Sequence, residues 1–180
     1  MEIYTKYLQK LKKENILTCL YTDHFNESYD GYILDFTDEF LIFEKVDTNF
    51  KFDGICILYR NDITQIRWAG NDLQSISKLI DLEHKTSWKS SINLENINSL
   101  VVDLAKEFSV LTIYTQHLAK DICFVGQVEE IDDNTLLFHE FGTTSTLDRK
   151  YLLISVEEIT KIEVNGHYEK NITKLFGLSK

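Results

Sequence analysis

Residues 29–43 read YDGYILDFTDEFLIF, and residues 54–66 read GICILYRNDITQI. In both stretches, apolar residues of high β-propensity are interrupted by short acidic or polar segments typical of turns. Gly31 lies inside the first apolar run, where a glycine often marks a sharp bend or a close approach of another backbone. These features predict four short, strongly bent β-strands in succession.

The chain contains this pattern a second time. FVGQVEEIDDNTLLF begins at Phe124, and YLLISVEEITKI follows it. Gly126 lies 95 residues after Gly31, and Thr160 lies 96 residues after Thr64. Self-similarity at a nearly fixed offset predicts two structural units of about 80–90 residues, each large enough for a modest core.

Each copy is predicted to contain a helix, five strands and a second helix. The first copy opens with apolar residues at helical spacing between Ile3 and Leu11. Its second helix is expected to bury Leu73, Ile76, Leu79 and Ile80 and to end near Glu83 or Lys85. The predicted strands are 16–21, 29–36, 40–44, 54–59 and 63–68, then 110–115, 122–131, 135–140, 150–155 and 159–164.

The second copy is expected to begin at a helix that Asn93 caps, with a buried stripe that includes Leu94. Its closing helix should follow Asn165 and Gly166. These elements predict a mainly β fold with flanking helices (α+β), arranged as two tandem five-stranded barrels. The predicted domains are residues 1–85 and 94–180. Residues 86–93 are polar and predict a linker, in which Trp88 is a candidate pin against one domain.

The charge of the chain restricts its partners. The net charge is −10, with −5 on residues 1–82 and −6 on residues 94–180. Both halves are therefore acidic, which disfavours strong non-specific binding to nucleic acids and to anionic membranes. Apolar residues make up 43% of the chain, as in a globular protein.

Compartment and redox state are also predicted. The first 15 residues lack the apolar run of a signal peptide, and no stretch approaches a membrane span, so we expect a cytoplasmic protein. Cys19, Cys56 and Cys123 lie in apolar strand patterns. They are interpreted as buried free thiols in a reducing compartment.

Both copies resemble the Sm-like (SH3-like) barrel, and specifically its bacterial host-factor (Hfq) branch. The residues that carry this resemblance are a glycine, an alternating apolar run, an acidic turn and a second apolar strand, at residues 31–42 and again from Gly126. The turn Tyr59-Arg60-Asn61 before Ile63 is similar to the aromatic and basic turn between the family's last two strands. The second copy departs there, with Ser155-Val156-Glu157-Glu158.

The resemblance implies a ring-forming protein that binds single-stranded RNA at that turn. Tyr59, Arg60 and Asn61 would then be the RNA-binding residues of the first copy, and Lys6, Lys10 and Lys13 would form a basic helix face. The second copy would not bind phosphate there, because Glu157 and Glu158 repel it. Three tandem chains can close a six-barrel ring, or the edge strands can be covered internally. The alternative for the basic residues is that they pair with nearby acids.

No catalytic or metal-binding pattern is found in the sequence. The five histidines lack metal-ligand spacing, although His24 and His117 occupy equivalent YTDHF and YTQHL segments. The acidic pairs Asp132-Asp133 and Glu157-Glu158 can attract a divalent cation, but such turn residues are usually solvated. No nucleophile elbow or phosphate-binding glycine loop is present. We therefore expect no enzyme activity, no cofactor and no bound metal.

Two functions fit these observations. The first is a non-enzymatic module for protein interaction or assembly, with a protein partner or a second copy of the chain. A regulator or an inhibitory protein of the immunity type would be an example. The second is a single-stranded RNA-binding regulator of host-factor type, which the net charge disfavours.

Overall fold

A computed structural model of the chain describes residues 2–85, 91–117, 122–141 and 148–178. The chain divides into two units, Met1–Trp88 and Lys89–Lys180, called unit 1 and unit 2 below. Of the predicted linker, residues 86–90 lie outside the described residues, and so does its candidate pin Trp88.

Unit 1 is an antiparallel sheet with one helix before it and one after it. The strand order is β5-β1-β2-β3-β4, so β1 pairs with both β2 and β5. The elements are α1 (Ile3–Lys13), β1 (Thr18–Thr22), β2 (Glu27–Phe36), β3 (Phe40–Val46), β4 (Phe52–Tyr59), β5 (Gln65–Trp68) and α2 (Asn71–Ser77).

Unit 2 repeats this plan. Its strand order is β10-β6-β7-β8-β9, and β6 pairs with both β7 and β10, as β1 does with β2 and β5. The elements are α3 (Ile97–Glu107), β6 (Leu111–Tyr114), β7 (Cys123–Ile131), β8 (Thr135–Phe141), β9 (Arg149–Ser155), β10 (Lys161–Val164) and α4 (His167–Leu175). All ten predicted strands are present.

The sharp bend that the sequence predicts has the same origin in both units. The register of β2 on β3 shifts between Ile33 and Asp35. The register of β7 on β8 shifts between Val128 and Glu130, at the same offset of 95. Such bulges bend a strand and increase its twist. The repeat therefore extends to the irregularities of strand pairing.

Gly31 and Gly126 lie where two strands approach most closely. A Cβ atom at Gly31 would lie 2.0 Å from the carbonyl oxygen of Glu44, and one at Gly126 would lie 2.4 Å from that of His139. Neither distance is possible for a real side chain. Both positions therefore require glycine for space.

The predicted class, mainly β with flanking helices, is confirmed. In neither unit do the two end strands of the sheet pair with each other within the described ranges. The barrel description therefore stays a prediction.

Both faces of the unit 1 sheet carry core residues. On one face, Leu8 and Leu11 of α1 pack into a cluster that includes Leu20 and Phe43. On the other, Leu73 of α2 packs into a cluster with buried strand and loop side chains, namely Leu17, Cys19, Tyr32, Phe52 and Ile80. Amphipathic helices are thus held by their apolar stripes.

In unit 2 the helices also bury apolar residues. Leu100 and Leu104 of α3 are fully buried. Ile172 of α4 packs into a cluster with Val125 and Phe141. The two units thus share both the order of elements and the use of helices to cover core residues.

The predicted end of the second helix was wrong. Helix α2 ends at Ser77, and a separate 3-10 turn follows at Leu82–His84. Ile80 is buried as predicted, but Leu79 is exposed. The hydroxyl of Ser77 accordingly bonds the carbonyl oxygen of Gln74, a local bond that competes with helix continuation.

The predicted cap of the third helix was wrong by three residues. The side chain of Asn96, not of Asn93, accepts the capping hydrogen bond, from the backbone N–H of Ser99 at 2.9 Å. Asn93 instead forms a turn with Glu95, whose backbone N–H it accepts at 2.8 Å. Leu94 therefore precedes the helix.

Candidate functional site

The turn after β4 holds the three residues that the resemblance assigns to RNA binding. Arg60 and Asn61 lie in a 3-10 turn, Arg60–Asp62, directly after Tyr59 ends the strand. The backbone N–H of Arg60 donates to the carbonyl oxygen of Glu39 at 2.8 Å, which ties this turn to the one between β2 and β3. Asn61 is exposed.

The guanidinium group of Arg60 points into unit 1 and makes contacts there. Its Nη1 donates to the carbonyl oxygen of Thr37 at 2.7 Å and lies 3.2 Å from Oδ1 of Asp38. The same group covers the ring of Tyr4 on α1, 4.9 Å from the ring centroid. Only 11% of the Arg60 side chain is exposed. The guanidinium thus bonds one carbonyl oxygen and the exposed carboxylate of Asp38 within unit 1, as the acid-pairing alternative predicts.

The ring of Tyr59 is likewise held by its neighbours. It contacts Phe40 with 5.1 Å between ring centroids. Burial, reinforced by the carboxylates of Glu39 and Asp62, raises the pKa of Tyr59 to about 12. A ring packed in this way is poorly placed for stacking on a nucleic-acid base, which needs an open face.

Unit 2 folds the corresponding turn without a cation. The 3-10 turn Val156–Glu158 follows β9, and the N–H of Val156 donates to the carbonyl oxygen of Asn134 at 2.9 Å. This bond matches that of Arg60 to Glu39. Val156 is 4% exposed, so it fills the position of Arg60 with an apolar side chain. Neither turn presents an accessible positive charge from this position.

A repeated threonine contact, which the sequence analysis missed, lies next to each turn. In unit 1 the Thr64 hydroxyl lies 2.5 Å from the carboxylate of Asp23 and accepts from the N–H of that residue at 3.3 Å. In unit 2 the Thr160 hydroxyl accepts from the N–H of Gln116 at 3.1 Å and lies 3.3 Å from its side-chain oxygen. We call these contacts the threonine latches.

The latches explain much of the sequence shared by the two copies. The N–H of Thr64 donates to Tyr21, and that of Thr160 donates to Tyr114, both at 2.9 Å. Tyr21 and Tyr114 are 93 residues apart, as are His24 and His117. The ITQI and ITKI signatures, read together with YTDH and YTQH, were the signal that could have revealed the latches. His24 and His117 are exposed beyond them.

The predicted basic helix face is present on α1. Lys6, Lys10 and Lys13 are all exposed, and Lys6 lies 5.9 Å from the centroid of the Tyr7 ring. Tyr7 itself contacts Trp68 of β5, with 5.5 Å between ring centroids, a contact that the sequence does not predict. This surface joins three cations to two half-exposed aromatic rings.

The other basic residues near this surface are paired with acids. Arg67 of β5 lies 3.3 Å from Asp72, and both side chains are half exposed. Lys12 of α1 donates to the carboxylate of Asp35 at 2.5 Å. Arg67 therefore adds little net charge to the α1 surface.

The thiol prediction held for two of three residues. Cys19 and Cys56 are buried and free, whereas Cys123 is exposed at the start of β7. Burial raises the pKa of the Cys19 thiol to about 11, so this group stays protonated and unreactive at neutral pH. The correction at Cys123 arises because the first residue of a strand is not held between neighbours on both sides.

Both acidic pairs lie in turns of unit 2. Oδ1 of Asp132 accepts from the backbone N–H groups of Asn134 and Thr135 at 2.8 and 2.7 Å, so it stabilises the turn between β7 and β8. In the part of the chain that the structure describes, no three potential metal ligands come together.

A cleft of about 500 Å³ lies between the end of α3 and α4 in unit 2. Its described lining contains no histidine or cysteine. The buried carboxylate of Glu169 receives hydrogen bonds from Thr112 and from the N–H of Gly166. It therefore serves the fold at the start of α4.

None of the helices in the described ranges is long and apolar enough to cross a membrane. Comparison with protein-family models, with curated proteins and with solved structures finds no match for this chain. The proposals below therefore depend on the residues and their geometry.

Proposed function

We propose that this chain is a non-enzymatic module for protein interaction or assembly, built from two copies of an Sm-like fold. The supporting observation is the internal use of Arg60, whose guanidinium bonds Thr37 and Asp38 and covers Tyr4. Because this guanidinium is largely buried and already bonds two acceptors of unit 1, we expect it to contribute little to phosphate binding. Val156 in unit 2 carries no charge at all.

One surface that remains for binding lies on unit 2 and is apolar and acidic. Tyr151 and Leu153 of β9 are exposed large side chains on an end strand of the unit 2 sheet. Large apolar side chains that are exposed side by side often mark a protein-binding surface, whereas single exposed apolar residues do not. The net charge of −10 adds a preference for partners with basic surfaces.

A second candidate is a single-stranded RNA-binding regulator of host-factor type. The observation that favours it is the α1 surface, where Lys6, Lys10 and Lys13 accompany the half-exposed rings of Tyr7 and Trp68. Lysines beside aromatic rings are the usual composition of single-strand binding surfaces.

A polarisation titration with U-rich and A-rich RNA at about 50 and 200 mM salt separates the two functions, because phosphate contacts weaken steeply over that range. We expect no binding at either salt concentration. Salt-sensitive binding would establish the second candidate, and variants would then locate it. Asn61→Glu adds charge at the turn without breaking a described contact, whereas Arg60→Glu also removes the bonds to Thr37 and Asp38. Asn61→Glu is therefore the cleaner test of the turn.

Protein binding is tested separately. A protein captured from cell extract must bind the purified chain in a two-component titration, and Leu153→Glu must weaken that binding. Failure of every captured protein to bind the purified chain, together with a strictly monomeric chain, would overturn the proposed function.

A further inference from the structure

Two exposed surfaces of the chain, one in each unit, have opposite charge and similar length. The first, called the basic face, consists of Ile3, Lys6, Tyr7, Lys10 and Lys13 on α1, with Trp68 beside Tyr7. The second, called the acidic strip, consists of Tyr151 and Leu153 on β9 with Asp133, Glu157 and Glu158. The charges beside these apolar groups are mainly of one sign. Exceptions include Glu2 and Glu14 at the ends of the basic face, and Arg149, which shares the Tyr151 side of β9 and contacts His139.

Helical geometry places the basic face on one side of α1. With 3.6 residues per turn, Lys6, Lys10 and Lys13 lie on the side of α1 away from Leu8 and Leu11, which enter the core. Ile3 and Tyr7 lie between the two sides. Ile3 is 77% exposed. The acids on this side are Glu2 and Glu14, one at each end of the helix, against the three lysines. The basic face therefore keeps a net positive charge on an acidic chain.

Strand geometry places the acidic strip on the sheet face away from the core. Tyr151 and Leu153 alternate with Leu152 and Ile154, and Ile154 is buried whereas Tyr151 and Leu153 are 64% and 76% exposed. The ring of Tyr151 stacks on His139 of β8 at 4.3 Å, which orients it.

The strip continues into the acidic turn. Val156 follows β9 directly, and its N–H donates to Asn134, so the Asp133 segment adjoins Glu157 and Glu158. The strand part of the strip, from Tyr151 to Ser155, is about 13 Å long at strand spacing, and the 3-10 turn Val156–Glu158 extends it. The basic face from Ile3 to Lys13 is about 15 Å long.

We propose that the basic face of one copy binds the acidic strip of a second copy. Apolar groups then meet apolar groups, Ile3, Tyr7 and Trp68 against Tyr151 and Leu153, while the three lysines meet the three carboxylates. The observations favour this occupant over RNA because the same chain carries a surface of opposite charge, also with exposed apolar groups, to match the basic face.

The contact is heterologous, since it joins two different surfaces. Each copy that binds through its basic face keeps its acidic strip available, so association continues into a closed ring or an open chain. This inference rests on the proposed function and names a second copy of the chain as the partner.

The test is sedimentation velocity of the intact chain between about 10 and 100 μM at about 20 and 300 mM salt, because exposed charge pairs are screened over that range. We expect the sedimentation coefficient to rise with concentration at low salt and to stay at the monomer value at high salt. A monomer at low salt and 100 μM would overturn the inference.

Two charge reversals identify the surfaces. Variant A carries Lys6→Glu, Lys10→Glu and Lys13→Glu; variant B carries Asp133→Lys, Glu157→Lys and Glu158→Lys. We expect the association constant of each variant alone to be at least tenfold lower than that of the wild type. An equal mixture of the two variants should recover the wild-type value. The formal charges, −10 − 6 = −16 and −10 + 6 = −4, are both negative, so recovery would not reflect overall attraction. Association of either variant at the wild-type level, or a mixture that stays monomeric, would overturn the assignment.

Leu153→Ser is a further variant that leaves all charges in place. Since Leu153 is exposed, the substitution should leave the circular dichroism spectrum unchanged while weakening association several-fold. Failure to weaken it would exclude the apolar part of the contact.

The outcomes also separate this inference from the proposed function. A monomeric chain that binds a captured protein would overturn the second-copy contact alone. A monomeric chain that binds RNA, and loses it in variant A, would overturn both and assign the basic face to nucleic acid.

Discussion

In unit 1 the 3-10 turn after β4 is held by the guanidinium of Arg60, whereas in unit 2 the turn after β9 is held by the buried side chain of Val156. The backbone is the same in both, down to the bond that each residue's N–H donates across to the neighbouring turn. One backbone thus accepts either a charged or an apolar side chain, provided that the side chain fills the same space.

The same comparison applies to the threonine latches. Thr64 and Thr160 make corresponding bonds, but Thr64 is exposed and bonds an acid, whereas Thr160 is buried and bonds an amide. The duplicated architecture therefore depends on a few shared backbone requirements. The side-chain chemistry around them differs between the two units.

The largest expected effect concerns the requirement that both units share. Gly31→Ala and Gly126→Ala would each place a Cβ atom against a carbonyl oxygen, and we expect each to lower the free energy of unfolding by about 3 kcal/mol or more. Urea denaturation measures the total loss, and hydrogen exchange followed by mass spectrometry assigns it to one unit.

Gly70→Ala is the matched control for these two variants. Its Cβ atom would meet only the end of the Asp72 side chain, at 2.3 Å, which can move away. We expect a loss below about 1 kcal/mol. If Gly31→Ala or Gly126→Ala were as mild as this control, the close approach of the strands would be wrong.

The next effect tests whether Arg60 stabilises its turn. Arg60→Met keeps the length of the side chain but removes the bonds to Thr37 and Asp38, and we expect a loss of about 2 kcal/mol. Arg67→Met is the control, because Arg67 belongs to a half-exposed ion pair, and its loss should be below about 1 kcal/mol. Thermal and urea denaturation give both values. Equal losses would show that the internal contacts of Arg60 stabilise unit 1 no more than a half-exposed ion pair does.

A smaller effect compares the latches directly. Thr160→Val removes a buried hydroxyl and leaves the N–H of Gln116 without that acceptor, so we expect a loss of about 1.5 kcal/mol. Thr64→Val removes the same group where water can replace it, and the loss should be about 0.5 kcal/mol. Urea denaturation of the two variants measures the difference. A larger loss at Thr64 would show that its bond to Asp23 outweighs burial.

The last effect is absent at neutral pH and consists of a difference in alkaline sensitivity between the two turns. Tyr59 has a pKa of about 12 in the folded chain and an ordinary value near 10 when unfolded. Between these values the folded state holds a proton that the unfolded state has lost, so stability falls as pH rises from about 10 to 12. Ser155 occupies the corresponding position in unit 2 and does not titrate in this range.

Tyr59→Phe should reduce that alkaline loss, because phenylalanine has no hydroxyl proton to lose. Urea midpoints at about pH 9 and 11.5 bracket most of the window. An identical pH dependence for wild type and Tyr59→Phe would show that Tyr59 does not contribute.

The sequence predicted the strands well because their signals are local. Alternating apolar runs, acidic turns and the two glycines placed all ten strands. Helix ends were less predictable. Asn93 and Asn96 are both reasonable caps by residue type, and the choice of Asn96 depends on which asparagine finds an N–H three residues later. Leu79 is exposed, contrary to the prediction, because α2 ends at Ser77.

The sequence predicted which residues lie together in the candidate site, but not which side chains contact them. Tyr59, Arg60 and Asn61 lie together in the turn, as their adjacency requires, and Lys6, Lys10 and Lys13 share an exposed face of α1. The sequence could not show that Arg60 turns inward, because Thr37 and Tyr4 are distant along the chain.

Sequence alone determined the duplicated order of helix, strands and helix, because periodicity, turn residues and glycine act over a few neighbouring residues. The tertiary structure decided which charges remain available. Arg60 bonds acceptors within unit 1, and Tyr7 contacts Trp68 because α1 packs beside β5. Whether a charged side chain binds a partner or its own chain depends on long-range contacts, which the spacing of residues along the sequence does not encode.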